Sequence, residues 1–135
     1  MNRLAVVLVA LCAASELQAQ KKSSTIAGVY SDEQATRGRD VYLGNCKSCH
    51  TPESHTGPLF KSTWGGRPLS ELYVFVRDRM PKNEPGSLSP QENADVVAYL
   101  LQLNRLPAGQ IDLPADSATL KSIRIDTSMN VRKDP

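Results

Sequence analysis

Apolar residues return three and four positions apart in two stretches of this chain, Leu69, Leu72, Tyr73, Val76 and Val96, Val97, Tyr99, Leu100, Leu103. That spacing puts each set on one face of an α-helix. The first helix follows Pro68 and ends at Met80, because Pro81 pushes the residue before it out of helical geometry. The second opens on Ser89-Pro90-Gln91-Glu92, an N-cap serine, a proline in the first helical position and a glutamate placed to close a capping box. It runs to about Asn104, ahead of Pro107. An earlier helix begins at Ser31, where Ser31-x-x-Gln34 fits the same box and Asp32 and Glu33 suit the positive helix start. Within it Gly38 and Tyr42 share a face. A mid-helix glycine costs about 1 kcal/mol relative to alanine, so Gly38 is expected to let another helix approach closely; a tolerated exposed glycine is the alternative. Residues 51–67, rich in Thr, Ser, Gly and Pro, read as loop. No stretch alternates as a strand, and no repeat is visible. Asp116 is placed to cap a short helix through Leu120 and Ile123, and the last eight or so residues read as mobile.

The N-terminus carries a different pattern. Arg3 precedes an apolar run from Leu4 to Ala14, with Ala19 at a cleavage point, which reads as a secretory signal over residues 1–19. The run is short for a membrane span. An uncleaved anchor is the alternative, since Leu17 is not ideal before the cut, and a lipid-acceptor role for Cys12 is disfavoured by Leu11. Residues 20–30, with Lys21, Lys22, Ser23 and Ser24, are expected to be a flexible linker, residues 31–106 the domain, and 107–135 a C-terminal extension. Cleavage leaves 116 of the 135 residues, enough for one small core. It removes one basic and one acidic residue, Arg3 and Glu16, so the net charge of +2 is unchanged. No concentrated basic stripe suggests nucleic acid.

Chemistry enters at Cys46-Lys-Ser-Cys49-His50. A Cys-x-x-Cys-His run is how a polypeptide attaches c-type haem. Two thiols on one turn add across the porphyrin vinyl groups, and the next imidazole reaches iron. Cys-x-x-Cys alone also fits thiol oxidoreductases and zinc knuckles. Cys12 leaves with the signal, so Cys46 and Cys49 are the only mature cysteines, and a disulfide across so short a gap would stabilise little. A haem also supplies the apolar filling that a chain with few aromatics lacks.

The second axial ligand must come from elsewhere. Of the two mature methionines, Met80 stands at a helix end in a proline-flanked turn and Met129 in the polar tail, so Met80 is the expected ligand. Filling a core gap is the alternative. His55, five residues after His50, would have to cross the ring and reads as a surface loop residue. A ligating imidazole normally donates its other nitrogen to an acceptor, and the Pro58 carbonyl in Gly57-Pro58 is a candidate. Trp64 is placed either to reach a haem propionate or to pack. Arg67, Arg77 and Arg79 either neutralise propionates or sit solvated.

Across residues 30–106 the chain resembles the class I monohaem c-type cytochromes. The resemblance rests on Gly38-x-x-x-Tyr42 before Cys46-Lys-Ser-Cys-His50, Gly57-Pro58-x-Phe60, Met80-Pro81, Pro85-Gly86-Ser87-Leu88-Ser89 and Ala98-Tyr99-Leu100-Leu101. It implies an all-α fold of three main helices and loops around one covalent haem c, Met80 on the iron, and the first and last helices crossing at the glycine and aromatic positions. Asn104-x-x-Pro107-Ala108-Gly109 resembles exported cytochromes associated with quinoprotein alcohol dehydrogenases.

The expected function is one-electron transfer in the periplasm or an equivalent exported space, not enzymatic catalysis. The expected partners are a quinoprotein or other dehydrogenase and a terminal oxidase or other cytochrome, with membrane contact only if the signal is retained. Three alternatives stand beside it. One is a cytochrome subunit fixed to a dehydrogenase, favoured by the long tail. The others are a haem enzyme or gas sensor with an open iron site, and a thiol oxidoreductase, which lacks the expected strand pattern.

Overall fold

Five α-helices and two 3-10 turns make up the computed structural model, which describes residues 24–128. They are α1 (Asp32–Asn45), α2 (Gly57–Trp64), α3 (Leu69–Arg79), α4 (Pro90–Leu103) and α5 (Ser117–Leu120), with 3-10 turns at Thr25–Ala27 and Pro52–His55. No strand forms among the described residues, so the fold is all-α as expected. The N-terminal stretch expected to be a signal, Met129 and nearly all of the last residues expected to be mobile lie outside the described residues.

Helix α4 is the centre of the molecule. Every residue from Asn93 to Leu101 is buried, which one apolar stripe would not require; α1 packs on one side of α4 and α3 on another. The start of α4 follows its sequence. Ser89 Oγ accepts the Glu92 N–H at 3.2 Å while Glu92 Oε2 accepts the Ser89 N–H at 2.8 Å. Two otherwise orphaned amides are thereby satisfied.

The start of α1 departs from expectation. Ser31 Oγ accepts the Gln34 N–H at 3.0 Å, but Gln34 does not return the bond. Its side chain is fully buried, so both halves of the amide need partners. The Leu113 backbone supplies them, accepting from Gln34 Nε2 at 3.0 Å and donating to Oε1 at 2.6 Å.

Gly38 does bring two helices together. A Cβ there would lie 1.8 Å from the Asp95 carbonyl oxygen of α4. One turn on, the Tyr42 and Tyr99 rings pack with centroids 5.4 Å apart. Along α3, Leu69, Leu72, Tyr73 and Val76 are buried as their spacing requires, and the helix stops at Met80, whose backbone is extended.

Three expectations are corrected. Residues 51–67 are not loop throughout, since the 3-10 turn and α2 occupy most of them. Pro58 fits the first turn of α2, and burial of Phe60 anchors a helix that its Gly, Thr and Ser content disguises. The stretch before α1 is not a flexible linker from residue 24 on. Val29 and Tyr30 are buried, and the Tyr30 hydroxyl donates to the Leu106 carbonyl at 2.5 Å.

Nor does a domain boundary fall at residue 107. Leu113, Leu120, Ile123 and Ile125 are buried in the same core. The tail's backbone pairs with the α2–α3 connection: Gly66 N–H to Ile125 O at 2.7 Å, Ile125 N–H to Arg67 O at 2.9 Å, and Leu69 N–H to Ile123 O at 2.7 Å. Asp116 caps α5 as expected, accepting from the Ala118 and Thr119 amides.

Candidate haem site

Helix α1 ends at Cys46, whose N–H bonds to the Tyr42 carbonyl at 2.8 Å. The chain then turns tightly: the Cys49 and His50 amides both donate to the Cys46 carbonyl, at 3.1 and 2.9 Å. This turn puts Cys46, Cys49 and His50 in the lining of a cavity of about 350 Å³. Trp64 from the end of α2 and Met80 from the end of α3 line the same cavity. Residues up to a quarter of the chain apart, Cys46 and Met80, are thus gathered around one space, within the size range of ligand and cofactor pockets.

The deep wall is apolar. Phe60, Leu72, Val76, Val96 and Leu100 line it, and all five are buried. Tyr42 also lines the cavity. The Tyr42 hydroxyl is buried without a hydrogen-bond partner, and burial, with Cys46 as the next cause, pushes its pKa up to about 12. It remains a donor at any physiological pH. Two thiols, an imidazole, a thioether and an unmatched donor around an apolar hollow fit a covalently held haem.

Cys46 and Cys49 are free, not bridged. Burial, followed by the neighbouring Cys49, pushes the Cys46 thiol up. A redox-active Cys-x-x-Cys needs the opposite shift, toward thiolate at neutral pH.

The other sequence candidates fall in different places. Pro58 is exposed in the first turn of α2 and is not among the residues lining the cavity. Arg67 stacks on the Trp64 ring, 5.3 Å from its centroid, and its Nε bonds Glu71 Oε2 at 2.5 Å. Arg77 is engaged by Asp78 at 2.6 Å. Both therefore already have carboxylate partners.

His55 is not a surface residue. It is half-buried and lines the cavity, its ring centroid 4.8 Å from that of His50 and 5.9 Å edge-on from Tyr42. Burial, then the neighbouring His50, lowers its pKa, so it is neutral at pH 7. The sequence held no direct sign of this contact, because the 3-10 turn that folds His55 back has no apolar period and no side-chain cap to mark it. Phe75 was also missed. It lines the cavity and meets Trp64 edge-on at 5.5 Å, and its place three residues after Leu72 on α3 was the available signal.

A family model described as "Cytochrome C oxidase, cbb3-type, subunit III" matches residues 33–100. Neither a curated protein nor a solved structure matches the chain.

Proposed function

Because the chain belongs to the family described as cytochrome C oxidase, cbb3-type, subunit III, a family of haem c electron-transfer domains, we propose that it is an exported one-electron carrier between a dehydrogenase and a downstream acceptor. Covalently bound haem c supplies the ferric/ferrous couple. In this reading the Cys46 and Cys49 thiols anchor the group, and His50 and Met80 are its axial ligands. Such ligation raises the iron potential and leaves no open coordination position, which suits transfer rather than oxygen chemistry. Phe60, Leu72, Val76, Val96 and Leu100 keep water from the iron, and the Tyr42 hydroxyl is a donor facing the bound group. Trp64 lines the cavity, and its indole N–H suits a propionate. The acceptor is a terminal oxidase or another cytochrome, met through a small and transient contact of the kind redox partners use.

The observation that carries this reading is the single cavity lined by Cys46, Cys49, His50 and Met80. Export is supported by the apolar run after Arg3. Among the described residues no helix is long and apolar enough to cross a membrane. The tail lends less weight to a fixed-subunit reading than its length suggested, since Leu113, Leu120, Ile123 and Ile125 are spent on the domain's own core.

The test is to express the full chain in a host with c-type maturation and record visible spectra. A weak far-red band of methionine sulfur on ferric iron, with a ferrous form indifferent to carbon monoxide, is the expected result. A missing band with ready carbon monoxide binding would replace the carrier by an open-site haem protein.

A further inference from the structure

Asn104, the residue that ends α4, sits across from the segment that follows His50. Its Nδ2 donates to the His55 carbonyl at 2.8 Å and to the Leu100 carbonyl at 2.8 Å, while its Oδ1 accepts the Gly57 N–H at 3.1 Å. The two bonds to His55 and Gly57 span nearly fifty residues of sequence. Among the described residues every other hydrogen bond from Cys46 to Leu59 is local, reaching back to the last turn of α1 or staying within the segment and α2. One carboxamide therefore supplies all the long-range hydrogen bonding of the polypeptide flanking His50.

The chemistry of the clamp is specific to asparagine. Two carbonyls face the nitrogen and one amide faces the oxygen, so the side chain must present donors on one end and an acceptor on the other. A carboxylate of the same shape would set negative oxygen against two carbonyls. The anchor point is rigid, because Leu100 and Leu101 beside it are buried in the core. The segment it holds carries His55, whose ring lies 4.8 Å from that of His50.

We infer that Asn104 is a positioning residue for the haem site, fixing the 51–57 segment against α4 so that water's access to the half-buried His50 stays limited. The inference rests on the His50 ligation proposed above. Loosening the segment admits water beside the iron's imidazole, stabilises the ferric charge and lowers the potential.

The experiment uses matured full-length holoprotein. Intact mass after denaturation is read first: wild-type protein without covalent haem would sink the haem reading itself, and with it this inference. Given covalent haem, the potentials of Asn104→Ala and Asn104→Asp are compared with wild type. Both are expected to fall, Asp further than Ala, by up to about tenfold in the ferric/ferrous ratio at fixed poise, which is about 59 mV for one electron. Potentials equal to wild type would overturn the clamp while leaving the carrier intact. Should neither variant mature, amide exchange in the wild type decides. The Gly57 N–H is expected to be protected well beyond the exposed amides around it, and exchange as fast as theirs would overturn the proposal.

Discussion

Met80 and Tyr30 are each single side chains with one measurable consequence. Met80→Ala is expected to keep covalent haem, lower the potential and open the iron to carbon monoxide; an unchanged far-red band would remove Met80 from the ligand set. His50→Ala should instead abolish stable holoprotein. Tyr30 lies away from the cavity and is almost fully buried. Burial, then the nearby Asp32 charge, pushes its pKa up to about 12. An unfolded tyrosine ionises near 10, so between about pH 10 and 12 the unfolded chain releases a proton that the folded chain keeps. Stability is therefore full below pH 10 and falls as pH rises toward 12. Tyr30→Phe should cost about 1–3 kcal/mol at pH 7, because the buried Leu106 carbonyl loses its donor. Denaturant titrations should also show a shallower alkaline loss in the variant, and an equal slope in both proteins would disprove the assignment. At this scale the Cys46–His50 run was legible because covalent attachment demands contiguous residues. His55 and Asn104 were not, because what they touch is decided by a turn and a helix end far apart in sequence.

Elements were legible where local rules and burial agree. Helix α4 has a serine cap, a proline in its first turn and an apolar face, and each signal points the same way. Helix α2 has eight residues, among them Gly57, Pro58, Ser62 and Thr63, and local propensity argues against it. It forms because Phe60 is buried, and a single tertiary anchor leaves no period to read. The α1–α4 crossing belongs to the same scale. Gly38 was legible as a close approach, and its tolerance is now defined: an added methyl would overlap the Asp95 carbonyl, which is backbone and cannot swing aside. Gly38→Ala is expected to cost about 3 kcal/mol or more. The same change at Gly44, where an added Cβ meets nothing within 4 Å, is expected to be neutral or slightly stabilising. Urea midpoints of the two variants provide the comparison, and equal shifts would mean the helices can separate at no cost.

For the molecule as a whole, the decisive feature is how the ends close around the helices. A unit bounded at residues 31 and 106 would have a thin core for its size, and the chain adds to it from both sides. Thr25 N–H donates to Arg124 O at 3.0 Å, and Gly109 N–H to Tyr30 O at 2.6 Å. The tail then pairs with residues 66–69, the link between the helix that presents Trp64 and the helix that presents Met80. Asp116, Leu120 and Ile123 marked the short helix, but these pairings were not legible, because Leu113 and Ile125 continue no helix or strand period that would tie the tail to the core. Their burial nevertheless predicts that the tail is not a detachable extension. Leu120→Ala and Ile125→Ala, both at fully buried positions, should each cost about 2–5 kcal/mol. In holoprotein the unfolding curves followed by helical circular dichroism and by the haem band should stay coincident, since tail and haem pocket share one core. A chain ending at residue 109 should retain its haem, which is covalent, but lose the cooperative transition and the far-red band together, because α2 and α3 lose the backbone pairing that holds their connection. If the truncated holoprotein instead kept both the band and the wild-type midpoint, the chain up to residue 109 would be self-sufficient, and the tail would again be free for a partner.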